Sequence, residues 1–288
     1  MSIKICVISP ISHLETYSPL GDIDMSLAHL VLENRGDNPY ARYYRKQKEK
    51  GRFICLDNSL FELQKQGVGV GIDAVLEAAK ITNPSEIIAE DVLYSSNDTI
   101  ESTKEFIKTM KNRGMFGSYQ IMGVVQGRTK EEWWKCFKDL TQLPINTIGL
   151  SKLSVPMAFL GVTAEEGCVA RARLECTKLI EQEYGCQAVS NSIANGKQIH
   201  LLGGDNWAVW EMTQQKKYSW VRSNDSSCAV WYGRHGLVFN EKGKIDSFLR
   251  EAPDLENYNP ETSEALSNVQ VQSCIYQNIA KWHLATKS

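Results

Sequence analysis

The feature that most constrains this chain is an alternation. Short apolar runs are separated by longer segments whose apolar residues recur with a helical period. The runs at 3–8, 53–56, 86–89, 119–125, 147–150, 198–202 and 219–222 have the length and the Ile, Val, Leu and Phe content of strands buried on both faces. Helical spacing covers 72–82, 98–112, 129–140, 163–184 and 205–215. Thr129 with Glu132, and Thr163 with Glu166, form Thr-x-x-Glu capping boxes, which satisfy free helix N–H groups. Asp205 stands where it would cap the last of these helices.

A β, α order repeated in this way implies a parallel sheet. Seven strands, with an eighth expected within 229–239, fit an α/β fold of the (β/α)8 TIM-barrel type over residues 1–256 of the 288. An open doubly wound sheet would more often carry a glycine-rich turn after its first strand, and Ile8-Ser9-Pro10-Ile11 is not one. Residues 257–288 lack strand signals and read as a C-terminal helical tail, with a helix over 263–285. Such a tail closes the barrel bottom, docks a partner or builds a homodimer contact.

Composition narrows the class further. Hydrophobic residues at 42% and charged residues at 23% exclude a disordered chain and a coiled-coil rod. No apolar run approaches the roughly 18 residues of a membrane span. The N-terminus has no signal-peptide core, so a cytoplasmic protein is expected. With a net charge of -2, any nucleic-acid binding must rest on a local patch. The eight cysteines include no Cys-x-x-Cys pair and are expected to be reduced, with Cys6 and Cys55 in the core. The spacing of Cys168, Cys176 and Cys186 fits no common zinc motif, so no metal is expected.

In a barrel of this type the chemistry lies at the C-terminal ends of the strands. Asp57-Asn58 follow the second expected strand, Glu90-Asp91 the third and Gln126-Gly127 the fourth. The fifth ends at Gly149-Leu150. The sixth contains His200 and ends at Gly203-Gly204, and the seventh runs through Arg222 into Asp225. Singly, an aspartate here is often a turn former and His200 a core histidine. Together, carboxylates, an amide and bare backbone donors suit a purine-like heterocycle, with Phe61 and Leu202 to close its two faces. Two aspartates at one mouth also permit glycosidic chemistry, one as nucleophile and one as acid/base.

The succession Leu56-Asp57-Asn58-Ser59-Leu60-Phe61-Glu62, Gly123-Val124-Val125-Gln126-Gly127, Ile148-Gly149-Leu150, His200-Leu201-Leu202-Gly203 and Asp225 resembles the tRNA-guanine transglycosylase superfamily over about residues 1–240. The opening Ser9-Pro10-Ile11-Ser12-His13-Leu14-Glu15 and the Asp-Asn-x-x-Phe-Glu signature are more similar to the phage and bacterial DNA transglycosylases of the DpdA type. The resemblance implies an enzyme that replaces guanine in DNA with a free 7-deazaguanine, such as 7-cyano-7-deazaguanine, and needs no cofactor. The modified DNA would resist restriction enzymes. It implies Asp225 as nucleophile and Asp57 as general acid/base. It also implies Asp91 reading the ring N–H and exocyclic amine, and Gln126 with the backbone around Gly149 contacting the carbonyl oxygen. Phe61 and Leu202 would sandwich the base, with Asn58, Gly127, Leu150, His200 and Gly203 completing the pocket.

Two departures matter. Ser59-Leu60 stand where the family turn usually carries glycine or alanine. The Cys-x-Cys-x-x-Cys…His zinc pattern of the tRNA enzymes is missing after Asp225, where only Cys228, Cys274, His235 and His283 follow. A tRNA-directed relative without zinc, a non-catalytic nucleic-acid-binding barrel and a simple glycoside hydrolase are the alternatives. For holding DNA, the densest basic stretch is 42–52, with Arg42, Arg45, Lys46, Lys48, Lys50 and Arg52 interleaved by Tyr43 and Tyr44 after Tyr40. Phosphate neutralisation with aromatic stacking is one expectation for it and a solvated helix face the other. Lys216, Lys217, Arg222 and Arg234 would extend the footprint; for Arg222, three residues before Asp225, a side chain pointing into the barrel is the equal alternative.

Overall fold

The computed structural model describes residues 2–63, 70–163, 167–185, 191–245 and 269–287. At its centre is an eight-stranded parallel sheet in the order β1-β8-β7-β6-β5-β4-β3-β2. The strands are β1 (Lys4–Val7), β2 (Asp24–Leu27), β3 (Ile54–Asp57), β4 (Glu86–Ile88), β5 (Gln120–Val125), β6 (Thr147–Ser151), β7 (Gln198–Leu202) and β8 (Val221–Ser226). Between β1 and β2 the sheet is joined by one parallel bridge, Cys6 to Ile23. The N–H groups of Asp22 and Ile23 both donate to the Ile5 carbonyl there, at 2.7 and 3.3 Å. The chain therefore folds as a nearly closed (β/α)8 barrel.

The eighth strand is not where the sequence suggested. Residues 229–239 begin inside helix Cys228–Arg234, and the strand is β2, with the sequence Asp-Met-Ser-Leu. Asp24 and Ser26 concealed it, because both are polar and both are buried. Burial of Asp24 is sustained by Arg52, whose Nε donates to Oδ2 at 2.8 Å, and by the Ser18 hydroxyl, which donates to Oδ1 at 2.9 Å. The last strand also runs on to Ser226, so Asp225 is a strand residue with a fixed direction.

Helix Lys130–Thr141 is capped by Thr129 as expected, but the return bond of the capping box goes to the Arg128 N–H instead of the N–H of Thr129 itself. Thr129 Oγ1 accepts from the Glu132 N–H at 3.2 Å, and Glu132 in turn accepts from the Arg128 N–H at 2.9 Å. Trp133, Cys136, Phe137 and Leu140 form its buried face. Asp205 behaves differently from expectation. It accepts from Val169 N–H, at the start of helix Cys168–Tyr184, and from Trp207 N–H, while its own helix begins at Ala208. Glu166 of the second capping box and residues 263–268 of the expected tail helix lie outside the described residues.

Helix Val269–Thr286 packs against helices Ala208–Gln215 and Cys228–Arg234 and against β1. Ile275, Ile279 and Trp282 are its buried stripe. The close crossing depends on Gly233, where a Cβ would come within 2.7 Å of the Ile275 Cα. Asn278 is fully buried, donating to the carbonyls of Ala229 and Leu237 and accepting from Phe239 N–H. This helix thus shares the barrel's own core. Among the described residues, no helix is long and apolar enough to cross a membrane.

Candidate active site

The ends of β3, β4, β5, β7 and β8 border one cavity, whose wall includes Asp57, Asn58, Asp91, Gln126, Leu202 and Asp225. Phe61 and Gly203 line it as well. Parallel strands in a barrel all present their C-terminal ends to the same face, which is why residues so distant in sequence meet here. The turn after β3 is strained: Ser59 is buried and takes φ +63°. Three bonds hold it there. The Ser59 N–H donates to Asp57 Oδ1 at 2.6 Å, the Leu60 N–H donates to Asn58 Oδ1 at 3.0 Å, and Ser59 Oγ accepts from the His29 N–H at 3.2 Å. Ser59 therefore occupies a conformation that glycine adopts freely.

Asp91 sits between two amides. Asn58 Nδ2 donates to its Oδ1 at 2.8 Å, and Gln126 Nε2 donates to its Oδ2 at 2.6 Å. Gln126 is oriented by its own carbonyl oxygen, which accepts from Tyr94 N–H at 3.0 Å. Burial pushes the Asp91 carboxyl up to about 6, with the two amides pulling the other way. The result is an acceptor pair flanked by donors, suited to one edge of a heterocycle that offers N–H groups and a carbonyl.

Asp57 and Asp225 face the cavity in opposite electrostatic settings. Burial, then the nearby charge of Glu62, raises the Asp57 carboxyl well above the usual range, and its hydrogen bond from Ser59 does not compensate. For Asp225, burial works in the same direction but loses. The hydrogen bond from His200, the Gly203 N–H and the charge of Lys152 hold it below the ordinary carboxylate value. His200 Nε2 and Gly203 N lie 3.0 and 2.9 Å from the same oxygen, Oδ1. Gly203 itself is fixed by Arg173, a fully buried side chain whose guanidinium donates to the carbonyls of Leu202 and Gly203 at 3.1 and 2.6 Å.

Four expected pocket residues do not line the cavity. His200 is fully buried within the barrel and bonds to Asp225 and Ser223, so it supports Asp225 instead of touching a ligand. The N–H of Gly127 is taken by Ser154 Oγ at 3.0 Å, and its bare Cα permits close approach to the backbone of Trp133. Gly149 forms a floor: a Cβ there would meet Leu202 Cδ1 at 2.7 Å and Met122 Sδ at 3.1 Å. Leu150 is fully buried in the core around the barrel.

The end of the basic stretch 42–52 is placed away from this mouth, while Arg42 and Arg45 bond back to Asp37 and the Gly36 carbonyl in the segment after β2. Tyr40, Tyr43 and Tyr44 are buried, not available for stacking. Arg52 pairs with Asp24, and Lys48 Nζ bonds to Ser85 Oγ, just before β4 and so at the opposite end of the barrel. Arg222 points inward and pairs with Glu86 at 2.7 Å. Cys168 and Cys176 are buried, and Cys186 lies outside the described residues.

The sequence did not single out Lys152 and gave Glu62 no role beyond its place in the signature after Phe61, yet both line the cavity. Lys152 Nζ lies 3.7 Å from the centroid of the Phe61 ring, in space kept open by Gly203 at φ +69°, where a Cβ would come within 2.5 Å of the lysine Cδ. Burial pushes its amine down, with Asp225 and Glu62 pulling it back. Following the chain two residues past Leu150 would have found it, as would Glu62 beside Phe61. No family model matches the chain, and no curated protein matches its sequence.

Proposed function

We propose that the chain is a base-exchanging transglycosylase, replacing guanine in DNA with a free 7-deazaguanine. The observation that carries this reading is the pairing of Asp57 and Asp225 on one cavity in opposite electrostatic settings, beside Asp91 flanked by two amides. Pairs of carboxyls whose environments drive them apart divide into acid and nucleophile.

In the first displacement an Asp225 oxygen forms a bond to the anomeric carbon and the bond from that carbon to the guanine nitrogen breaks. The base leaves with the electron pair and takes the proton of Asp57. In the second, Asp57 removes the ring N–H proton of the incoming 7-deazaguanine, whose nitrogen forms the new glycosidic bond as the Asp225 ester breaks. Bonds and protons balance over the cycle, and stereochemistry at the anomeric carbon is retained. Asp91 accepts from the ring N–H and exocyclic amine, Gln126 donates to the carbonyl oxygen, and Phe61 and Leu202 cover the faces. The target nucleotide must leave the helical stack to reach the mouth.

Aromatic rings with cations beside them, in the loops and helices that follow β4 to β8, support a nucleic-acid strand at this rim. Arg128 lies over Tyr94 at 5.7 Å, Lys130 over Phe159 at 5.8 Å and Lys244 over Trp207 at 3.2 Å.

The test is base exchange itself. The protein is incubated with DNA and 7-cyano-7-deazaguanine, with tRNA as the rival acceptor, and the nucleosides are examined by mass spectrometry. The expected result is a 7-deaza product in DNA that disappears with Asp225→Asn and falls sharply with Asp57→Asn. Product on neither acceptor, or an Asp225→Asn variant as active as the wild type, refutes the proposal.

A further inference from the structure

The interior of a (β/α)8 barrel is ordinarily filled by branched aliphatic side chains. Part of this one is a polar column, and it ends at Asp225. At its base Glu86, the first residue of β4, is fully buried. Arg222 reaches it from β8 with two bonds, Nη1 to Oε1 at 3.0 Å and Nη2 to Oε2 at 2.7 Å. The Thr147 hydroxyl accepts from Arg222 Nη1 at 3.0 Å and donates to Glu86 Oε1 at 2.5 Å. Above this, Arg222 Nε donates to Ser223 Oγ at 3.0 Å, Ser223 Oγ lies 2.7 Å from His200 Nδ1, and His200 Nε2 lies 3.0 Å from Asp225 Oδ1.

Adjacent strand residues normally point to opposite faces. Arg222 and Ser223 share a network because β8 is irregular there. Val221 pairs with Ile199 but Ser223, not Arg222, pairs with His200. The extra residue is a bulge, a device that re-aims a side chain. Here it turns Arg222 across the barrel.

The column fixes the protons. Arg222 Nε–H is only a donor, so Ser223 Oγ accepts from it. Ser223 is fully buried, so its own proton also needs an acceptor, and His200 Nδ1 is the one within reach; a nitrogen that accepts on one side of a neutral imidazole carries its proton on the other. The N–H is then at Nε2, directed at Asp225 Oδ1.

We infer that Glu86, Arg222 and Ser223 are positioning residues that lock His200 as the neutral Nε2–H tautomer. That donor, with the Gly203 N–H, ties down Asp225 Oδ1 and leaves Oδ2 as the attacking atom. Among the described residues, no hydrogen bond reaches Oδ2. A neutral donor orients the carboxylate without supplying a full positive charge that would blunt it. The role assigned to Oδ2 rests on the base-exchange reading; the tautomer does not.

The test combines nitrogen NMR of the histidine rings at neutral pH, with His200 assigned through a His200→Asn variant, and kinetics of Ser223→Ala. The expected wild-type signal is a neutral ring protonated at Nε2, which Ser223→Ala converts to the other tautomer or the imidazolium. The same variant is expected to lose about 10- to 100-fold in kcat, the worth of one hydrogen bond to a charged group, with KM for the free base unchanged. An Nδ1–H or imidazolium signal in the wild-type protein overturns the inference, as does a Ser223→Ala protein with unchanged tautomer and kcat. A wild-type protein with the expected tautomer but no base exchange on any acceptor supports the lock and refutes the base-exchange reading.

Discussion

Replacing Arg173 with methionine separates the support of the site from the site itself. Arg173 and Glu211 are both fully buried, with Arg173 Nη2 donating to Glu211 Oε2 at 3.0 Å. Nε and Oε1 are 2.9 Å apart but not aligned as a hydrogen bond. Removing one partner of such a pair costs about 3–5 kcal/mol, because the other charge stays buried. That is a large fraction of the roughly 5–15 kcal/mol that holds a domain folded. Most of the loss should return in Arg173→Met/Glu211→Leu. The Gly203 carbonyl keeps a donor there, Asn224 Nδ2 at 3.1 Å, so a residue of about 1–2 kcal/mol should remain. The sign with pH is fixed as well. Burial pushes the Glu211 carboxyl up to about 7 against the pull of Arg173, and losing Arg173 raises it further. A carboxyl raised above its unfolded value stabilises the fold while protonated, and that contribution fades as pH rises through the folded value. The deficit of Arg173→Met should therefore be larger at about pH 9 than at about pH 6. Urea unfolding followed by tryptophan fluorescence measures all of this. A single variant within about 1 kcal/mol of wild type, a double variant no better than the single, or a deficit independent of pH would refute the reasoning.

Binding of a free guanine-type base should weaken as pH falls through about 6, where Asp91 gains its proton, approaching tenfold per unit below that. Calorimetry should find this dependence in the wild type and not in Asp91→Asn; an identical dependence in the variant would assign it to another group. At position 59, Gly should be less damaging than Ala by about 1 kcal/mol, since both lose the Oγ acceptor but only Gly relieves φ +63°. Thermal melting that ranks Ala above Gly would show the turn to be unstrained. Trp282→Ala should lose about 3–5 kcal/mol in a single cooperative transition, because this side chain from the terminal helix lies in the barrel's core. A near-neutral change, or a separate early transition, would make that helix an independent unit.

Much of this protein is written locally. The alternation of apolar runs and helical spacing dictates parallel strands with helical returns, and parallel strands must present their C-terminal ends together. Asp57, Asp91, Gln126 and Asp225 therefore meet at one mouth as a consequence of chain order alone. What tertiary structure decided is the partner each polar group finds. Asp24 and Ser26 make β2 look like a loop until Arg52 and Ser18 are seen to satisfy Asp24 inside the protein. Tyr40, Tyr43 and Tyr44 read as stacking rings beside basic residues until packing buries them. Arg222 reads equally as a phosphate contact or as a side chain inside the barrel, and a bulge decides it by turning it toward Glu86, 136 positions earlier in the chain. Asp57 and Asp225 are the same residue type, and sequence gives them the same chemistry. Burial raises one carboxyl, while a histidine and a backbone N–H from the neighbouring strand β7 and its end hold the other down, since charge is set by surroundings that no local window contains.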